Sequence, residues 1–437
     1  MSDLGAFYEY FQLFSGSILL GSQLFALSLL LRSKSKKQKK AGDKPISSWP
    51  SLTVIVPCHN EEGIIAECLK AVSKANYPNL KSIIVVDDAS SDHTPEILNK
   101  TPGITVLRNP TQLGKSRSLN RALELVRSEL VAVIDGDSVI SADALTESAS
   151  CFTAKDIGGV SCVIRVLNQK RVLTWWVHLE LLHFSLMRQL LSGVNANITT
   201  PGPLSMYRTA ALDKVGRFSA RGYSEDADIG IRLIREGYRM AFSSTAEVAT
   251  VMPERFVDIF RQRLRWSRGL IYLLKTHLRF STRFIDWYTL PVLFVGYFSS
   301  LVLAPLSWHT IYQGYIAQFW DQGIILSPSV YLYLLDWASL AGTAQHSFHT
   351  FHGDYVTTLA DKVGVMSSLL GISLFIVSII RFEKKFTLRH LVPLFFLQPL
   401  YWILNIVSIL AVPTVLSRTQ NNLWSKRSTL PYNQASR

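Results

Sequence analysis

The strongest constraint on this chain is where its charges are missing. From Phe11 to Leu31 there is no charged residue. At about 1.5 Å of rise per helical residue, that is one bilayer crossing. The next such stretches come late: Trp287–Trp308, Gln322–Gly353 (interrupted by Asp336, histidines aside), Val363–Ile380 and Leu391–Ser417. Roughly 240 residues of ordinary globular sequence lie between the first stretch and the rest, enough for a domain. Across all 437 residues 48% are apolar and 18% charged. That excludes a disordered chain and argues against an ordinary soluble enzyme. The expected plan is an anchor with a basic linker (1–46), a cytosolic domain (47–283), and a membrane bundle with a tail (284–437).

The flanking charges orient the anchor. Asp3 and Glu9 precede it, and Arg32, Lys34, Lys36, Lys37, Lys39 and Lys40 follow it. A signal peptide carries its cations in front, so this reads as a retained anchor. The positive-inside rule then puts the following domain in the cytoplasm of a multi-pass protein of the inner cell membrane. The net charge is +13. Cations packed beside an anchor point to anionic membrane lipids, not to nucleic acid, which would want them interleaved with aromatics on a soluble face. The number of late crossings has two readings. If Gln322–Gly353 crosses, there are four and the C-terminus with Lys426 and Arg427 is cytosolic, but Arg381, Lys384, Lys385 and Arg389 face outside. If it lies along the surface, that conflict reverses. We lean to four. The four cysteines form no CxxC pair, so no disulfide framework or cysteine zinc site is expected.

The cytosolic segment alternates strand and helix patterns. Leu52–Pro57, Ser82–Val86, Ile104–Leu107 and Leu130–Ile134 are short apolar runs. Glu62–Lys74 places Ile64, Ile65, Cys68, Leu69 and Val72 on one helical face. Strands apolar throughout predict an α/β fold with a mostly parallel sheet covered on both faces. Ligands of such sheets sit at the carboxyl ends of the strands. Three of those ends are polar: Cys58-His59-Asn60-Glu61-Glu62, Asp87-Asp88-Ala89-Ser90-Ser91 and Asp135-Gly136-Asp137. Each alone serves equally as a helix cap. Together on one edge they point to a site.

Asp135 and Asp137 with glycine between them can approach one divalent cation, and Mg²⁺ or Mn²⁺ prefers few carboxylates plus phosphate oxygens. Neither a P-loop nor a GxGxxG is present, so phosphate would be held by the metal and by cations such as Lys115. Further on, Ser224-Glu225-Asp226-Ala227-Asp228 opens a helix, where acids also suit the macrodipole. Gln262-Arg263-Leu264-Arg265-Trp266 lies in a long amphipathic stretch suited to a membrane surface. Tyr355–Lys362 reads as a linker before a membrane helix. His346, His349 and His352 read as a polar interface segment, since no cysteine completes a metal set.

Asp88, Asp135-Gly136-Asp137, Ser224-Glu225-Asp226 and Gln262–Trp266, in that order and ahead of a membrane bundle, resemble the membrane-integrated family 2 glycosyltransferases. That branch includes poly-N-acetylglucosamine, hyaluronan and cellulose synthases, and the QRLRW run is most similar to the first of these. Ser224 stands where threonine is usual, and Thr200-Pro201-Gly202-Pro203 where the acceptor side is often Gly/Ser-rich. The resemblance implies a GT-A fold and a UDP-sugar donor, with N-acetylglucosamine preferred. It implies that Asp88 holds the uridine with His59 and Glu61 nearby, that Lys115 and Asp135 face the nucleotide, and that Asp137 ligates Mg²⁺ or Mn²⁺. Asp226 would be the general base; Gln262, Arg265 and Trp266 would hold the diphosphate and the acceptor. The implied reaction is inverting transfer to a growing polysaccharide that is exported, with a small accessory membrane subunit as a further partner. The alternative is transfer of one sugar to a membrane lipid. A silent nucleotide sensor is disfavoured because both Asp137 and Asp226 are present.

Overall fold

A computed structural model describes residues 3–33, 49–222, 224–312, 317–328, 330, 339–353, 358–395 and 398–416. After helix α1 (Asp3–Ser33) the chain alternates: β1 (Leu52–Cys58), α2 (Ile65–Ser73), β2 (Leu80–Asp87), α3 (Thr94–Asn99), β3 (Thr105–Arg108), α4 (Lys115–Leu123), β4 (Leu130–Val133). Then follow β5 (Ser138–Ile140), α5 (Ala144–Ala149), β6 (Ile157–Val166), α6 (Val172–Ser192), β7 (Ser205–Arg208), α7 (Thr209–Lys214), α8 (Glu225–Arg235) and β8 (Arg239–Thr250). The rest is helical: α9 (Phe256–His277), α10 (Leu290–Ile311) entered through a π-turn, α11 (Gln318–Asp321), α12 (Leu340–His352), α13 (Leu359–Phe382), α14 (Leu388–Phe395) and α15 (Gln398–Leu416).

One eight-stranded sheet runs β3-β2-β1-β4-β7-β6-β8-β5. Its first half is parallel, as the apolar runs predict. The second half is mixed: β7 enters antiparallel to both β4 and β6, and β5 is antiparallel to β8. Side chains alternate by the strand period of two. Val54, Val56 and Cys58 of β1 join one core and Ile55 the other. Pro57 is tolerated because β4 pairs with β1 only as far as Ile55. The predicted face of α2 is buried in full, but the helix starts later than its periodicity suggests. Glu61 accepts from the amides of Ile64 and Ile65, and the amides of Glu61 and Glu62 are spent on Thr94 and Asp92.

Among the described residues, three helices are long and apolar enough to cross a membrane: Ala6–Arg32, Ile285–Pro305 and Leu359–Phe382. They match the expected stretches at Phe11, Trp287 and Val363. The stretch at Leu391 is helical on either side of residues 396–397, with a shorter apolar run at Ile406–Val415. In Gln322–Gly353 the described part includes the 13-residue α12, too short for a crossing at about 1.5 Å per residue. Asp336, Tyr355, Lys426 and Arg427 lie outside the described residues.

The α/β part and the apolar helices are packed together. α1 lies against α13 and α10, α6 against α13 and α14, and α9 along α15. Polar contacts fix these pairs: Ser367 Oγ donates to Gln23 at 3.0 Å, and Arg268 Nε to Thr414 Oγ1 at 2.8 Å.

Candidate active site

The end of β4 builds the acidic centre. Gly136 packs against β1, and a methyl there would stand 3.0 Å from Cys58 Cβ and 3.3 Å from the Pro57 carbonyl. Glycine therefore lets the Asp135–Asp137 turn close on the neighbouring strand. Asp137 is buried, and its Oδ1 accepts from the hydroxyls of Ser138 and Thr250, both at 3.1 Å. Asp135 pairs with Lys115, the first residue of α4, at 2.6 Å. Lys115 also reaches Glu225 at 3.3 Å.

Opposite stands α8. The Thr200 amide and hydroxyl both donate to the Asp226 carbonyl, at 3.3 and 2.6 Å, which stitches the Thr200–Pro203 loop to the helix start. The loop's Gly202 carbonyl accepts from the Asp135 amide at 3.2 Å. A methyl on Gly202 would overlap both the Asp135 carboxylate and the Lys115 ammonium, so glycine here lets that pair keep its place. α9 closes the site with Gln262, Arg265 and Trp266. The Gln262 amide nitrogen meets Met252 Sδ at 3.7 Å, and its buried oxygen has no partner.

These groups border one cavity of about 830 Å³, together with His59 and Glu61. Nine of the ten residues expected from sequence are thus brought together. Asp88 is the exception. It is fully buried behind the cavity wall, and its carboxylate accepts from the amides of Leu113 and Gly114, both at 2.8 Å, and from Asn109 at 2.7 Å. In this structure Asp88 holds the loop that presents Lys115 and makes no wall of the cavity. His59 is fixed by a 2.8 Å bond from its Nδ1 to the Asp88 carbonyl oxygen.

Electrostatics divides the acids by role. Burial raises the pKa of Asp226 to about 6, and Glu225 adds to the rise. Burial also raises Asp135, against the opposing pull of Lys115. Burial works against the Lys115 charge, but Asp135 and Glu225 outweigh it and push its pKa up. Asp226 is thus a carboxylate poised near neutrality beside a fixed cation. The Asp137 and Asp135 oxygens are hard donors, the set that suits Mg²⁺ or Mn²⁺.

Several neighbours were not singled out from sequence. Arg263 makes a bidentate pair with Glu180 of α6, both buried, and lies 4.3 Å from the Trp266 ring centroid. Arg188 and His183 of α6 border the cavity. The available signal was a 21-residue, mostly apolar helix whose charged residues are Glu180 and Arg188, and charges on such a helix need partners. Asp228 is also no simple cap acid. It is buried and bonds Arg232 at 2.8 Å and His277 Nε2 at 2.8 Å.

A second cluster, His178, Glu383 and His390, is close enough to suggest a metal site. Both Nδ1 atoms accept from main-chain amides, of Val166 at 3.2 Å and Thr387 at 3.0 Å. Each neutral ring therefore keeps its proton on Nε2, where a metal would need the lone pair. With Arg165 bonded to Glu383, the cluster clamps the end of α13 to the sheet.

Residues 50–269, half of the chain, match the family described as "Glycosyltransferase like family 2", and the chain belongs to it. The probable glycosyltransferase YdaM of Bacillus subtilis (strain 168) is 30% identical over 246 residues, covering 54% of this chain and 58% of that one. An N-acetylglucosaminyltransferase of Rhizobium meliloti (strain 1021) is 28% identical over 238 residues, covering 50% and 55%. The β-monoglucosyldiacylglycerol synthase of Trichormus variabilis (strain ATCC 29413 / PCC 7937) is 28% identical over 235 residues, covering 51% and 49%. The chain spans only about half the length of these curated relatives. Among solved structures, the mannosyltransferase PcManGT from Pyrobaculum calidifontis, in complex with GDP-Man and Mn²⁺, aligns with a TM-score of 0.55 at 20% identity. It covers 86% of this chain and 100% of its own. The sheet is GT-A-like, and residues 50–269 form a family 2 glycosyltransferase domain.

Proposed function

We propose that the chain transfers a sugar from a UDP-sugar to an acceptor hydroxyl that arrives from the membrane side, inverting the anomeric carbon. One observation carries this reading. Asp226, with its raised pKa, shares a single cavity with the Lys115–Asp135 pair, and that cavity runs on between α1, α10 and α13. Asp226 takes the proton of the attacking hydroxyl. The new C–O bond forms at the anomeric carbon while the bond to UDP breaks and its electron pair leaves with the diphosphate. Lys115 and Arg265 face that charge, and Trp266 offers an indole face for sugar C–H groups. Asp137 and Asp135 would hold a divalent cation, which when bound supplies Lewis-acid neutralisation of the diphosphate. Asp88 acts through its loop. N-acetylglucosamine is the preferred donor sugar, the one for which the Rhizobium meliloti relative is named.

The cavity walls favour a lipid acceptor over a growing polymer. Ala26, Val292, Leu293 and Leu374 border it beside a few polar groups such as Gln23 and Tyr288, a lining that suits acyl chains better than a row of sugar hydroxyls. On this reading residues 47–283 face the cytoplasm and 284–437 lie in the membrane. The test is the full chain in detergent micelles with a panel of UDP-sugars, read by UDP release and product size. Release with one UDP-sugar and a single glycolipid product is expected. No release from any UDP-sugar overturns the donor assignment, and a polymer ladder overturns the lipid one.

A further inference from the structure

The inner end of the cavity is not used by the donor chemistry. There α6 turns one face inward, with His183, Met187, Arg188 and Leu191 all bordering the space. Their spacing by four, five and eight residues is one helical side. Arg188 is 7% exposed. One terminal nitrogen donates to the Cys162 carbonyl at 3.3 Å and to Ser185 Oγ at 2.9 Å, while its Nε has no partner. Among the described residues it has no ion pair with a carboxylate. Burial lowers its pKa to about 10, which leaves it charged at neutral pH. The field of Asp226 offsets part of the burial, but a buried guanidinium with no directly bonded counter-ion is costly, and its planar fork matches phosphate or carboxylate oxygens.

What faces Arg188 narrows the choice. His183 stacks on Phe375 of α13 with centroids 4.2 Å apart, and burial lowers its pKa to about 4, so it is neutral. Across the space stand Ala26 of α1, Val292 of α10 and Leu374 of α13, from the three helices long enough to cross a membrane. A ligand here meets one cation, the hydrocarbon of these three helices, and uncharged polar groups such as Gln23 and Asn197. A fatty acid satisfies the cation and the hydrocarbon but carries no hydroxyl for Asp226. A phospholipid headgroup with a free hydroxyl satisfies all three.

We infer that this inner chamber binds the acceptor as a phosphate-bearing membrane lipid, with the phosphate on Arg188, the acyl chains along α1, α10 and α13, and a headgroup hydroxyl toward Asp226. This deepens the transferase reading and rests on it for the role of Asp226. The hydroxyl proton passes to Asp226, the hydroxyl oxygen bonds the anomeric carbon, and UDP leaves with the electron pair of the broken bond.

The test uses the full chain in dodecyl maltoside micelles carrying phosphatidylglycerol or diacylglycerol, with soluble glycerol 3-phosphate as a third arm. Retention of radiolabelled ligand is measured without donor, and UDP release separately. The wild type should retain phosphatidylglycerol about 10- to 100-fold better than diacylglycerol, the range of a charge-assisted hydrogen-bonded contact. Arg188→Gln should lose that preference and Arg188→Lys recover part of it, with UDP binding by calorimetry reporting that each is folded. Equal retention of the two lipids by the wild type overturns the inference whatever the variants do, as does a preference that survives in Arg188→Gln. Glycerol 3-phosphate bound as tightly as the lipid overturns the lipid assignment. Selective lipid retention without UDP release supports the chamber and sinks the transferase reading. UDP release driven by diacylglycerol alone does the reverse.

Discussion

Arg263 of α9 and Glu180 of α6 are paired side by side beneath the catalytic cavity, with side chains 2% and 6% exposed. The same guanidinium lies against the Trp266 ring, so the pair sets where that indole stands. Glu180→Gln leaves a buried cation and should lower stability by about 3 kcal/mol or more. The double variant Glu180→Leu with Arg263→Met should recover most of that stability yet raise KM for the acceptor, because Trp266 loses its support. Denaturation in detergent beside acceptor KM checks both. An unchanged acceptor KM in a stable double variant would make the pair purely structural.

Asp226→Asn keeps shape but removes the proposed base. UDP binding should persist while transfer falls by about 10²- to 10⁴-fold, the usual size of a general-base contribution. On the proposed role the working form is the deprotonated one. With the pKa pushed up to about 6, the rate should fall as pH drops through that value and level off above it. The pH profile of UDP release, wild type against variant, is the measurement. An acid limb that stays in Asp226→Asn assigns it to another group.

Asp228 lies two residues further along the same helix, where sequence alone suggests a harmless control for Asp226. The structure makes it a tie between α8 and the end of α9 through His277, with Arg232 of α8 itself holding the other oxygen. Asp228→Asn should cost about 2 kcal/mol, the scale of hydrogen bonds to charged groups. Burial opposes its charge, but the bonds from His277 and Arg232 hold its pKa below the usual carboxylate value. A depressed carboxylate stabilises the fold above its unfolded pKa, about 4, and loses that contribution as pH falls further. Unfolding curves from pH 7 to pH 3 should therefore converge for wild type and variant at the acid end.

Gly202→Ala inserts a methyl where the Asp135 carboxylate and Lys115 ammonium meet. Both are side-chain ends that can swing away, so the fold should survive. The pair should not, and a displacement of about 1 Å at a reacting centre costs about 10²-fold in rate. Near-normal kcat/KM in a folded Gly202→Ala protein would show that the Lys115–Asp135 contact is dispensable.

The sequence by itself determined the elements and the edge where the site lies. Runs such as Leu52–Pro57 and Leu130–Ile134 are strands because a parallel sheet buries both faces, and an uncharged Phe11–Leu31 can only be a long apolar helix. These are local properties, carried by residues a few positions apart. Strand ends also placed Asp135 and Asp137 at one rim, while Asp226 and Gln262 joined them only through the resemblance to the family. What only the tertiary structure decided is partnership. Asp88 is spent on the Leu113–Gly114 amides, Asp228 is clamped by His277, Glu180 meets Arg263, and Arg188 is buried with no directly bonded carboxylate among the described residues. The mixed half of the sheet belongs with these, because β7 pairs with β4 and β6 across long separations. A charge has its role fixed by desolvation and by the groups within a few ångströms. In this fold those groups come from residues 25 to 83 positions away, a distance over which no sequence period carries information.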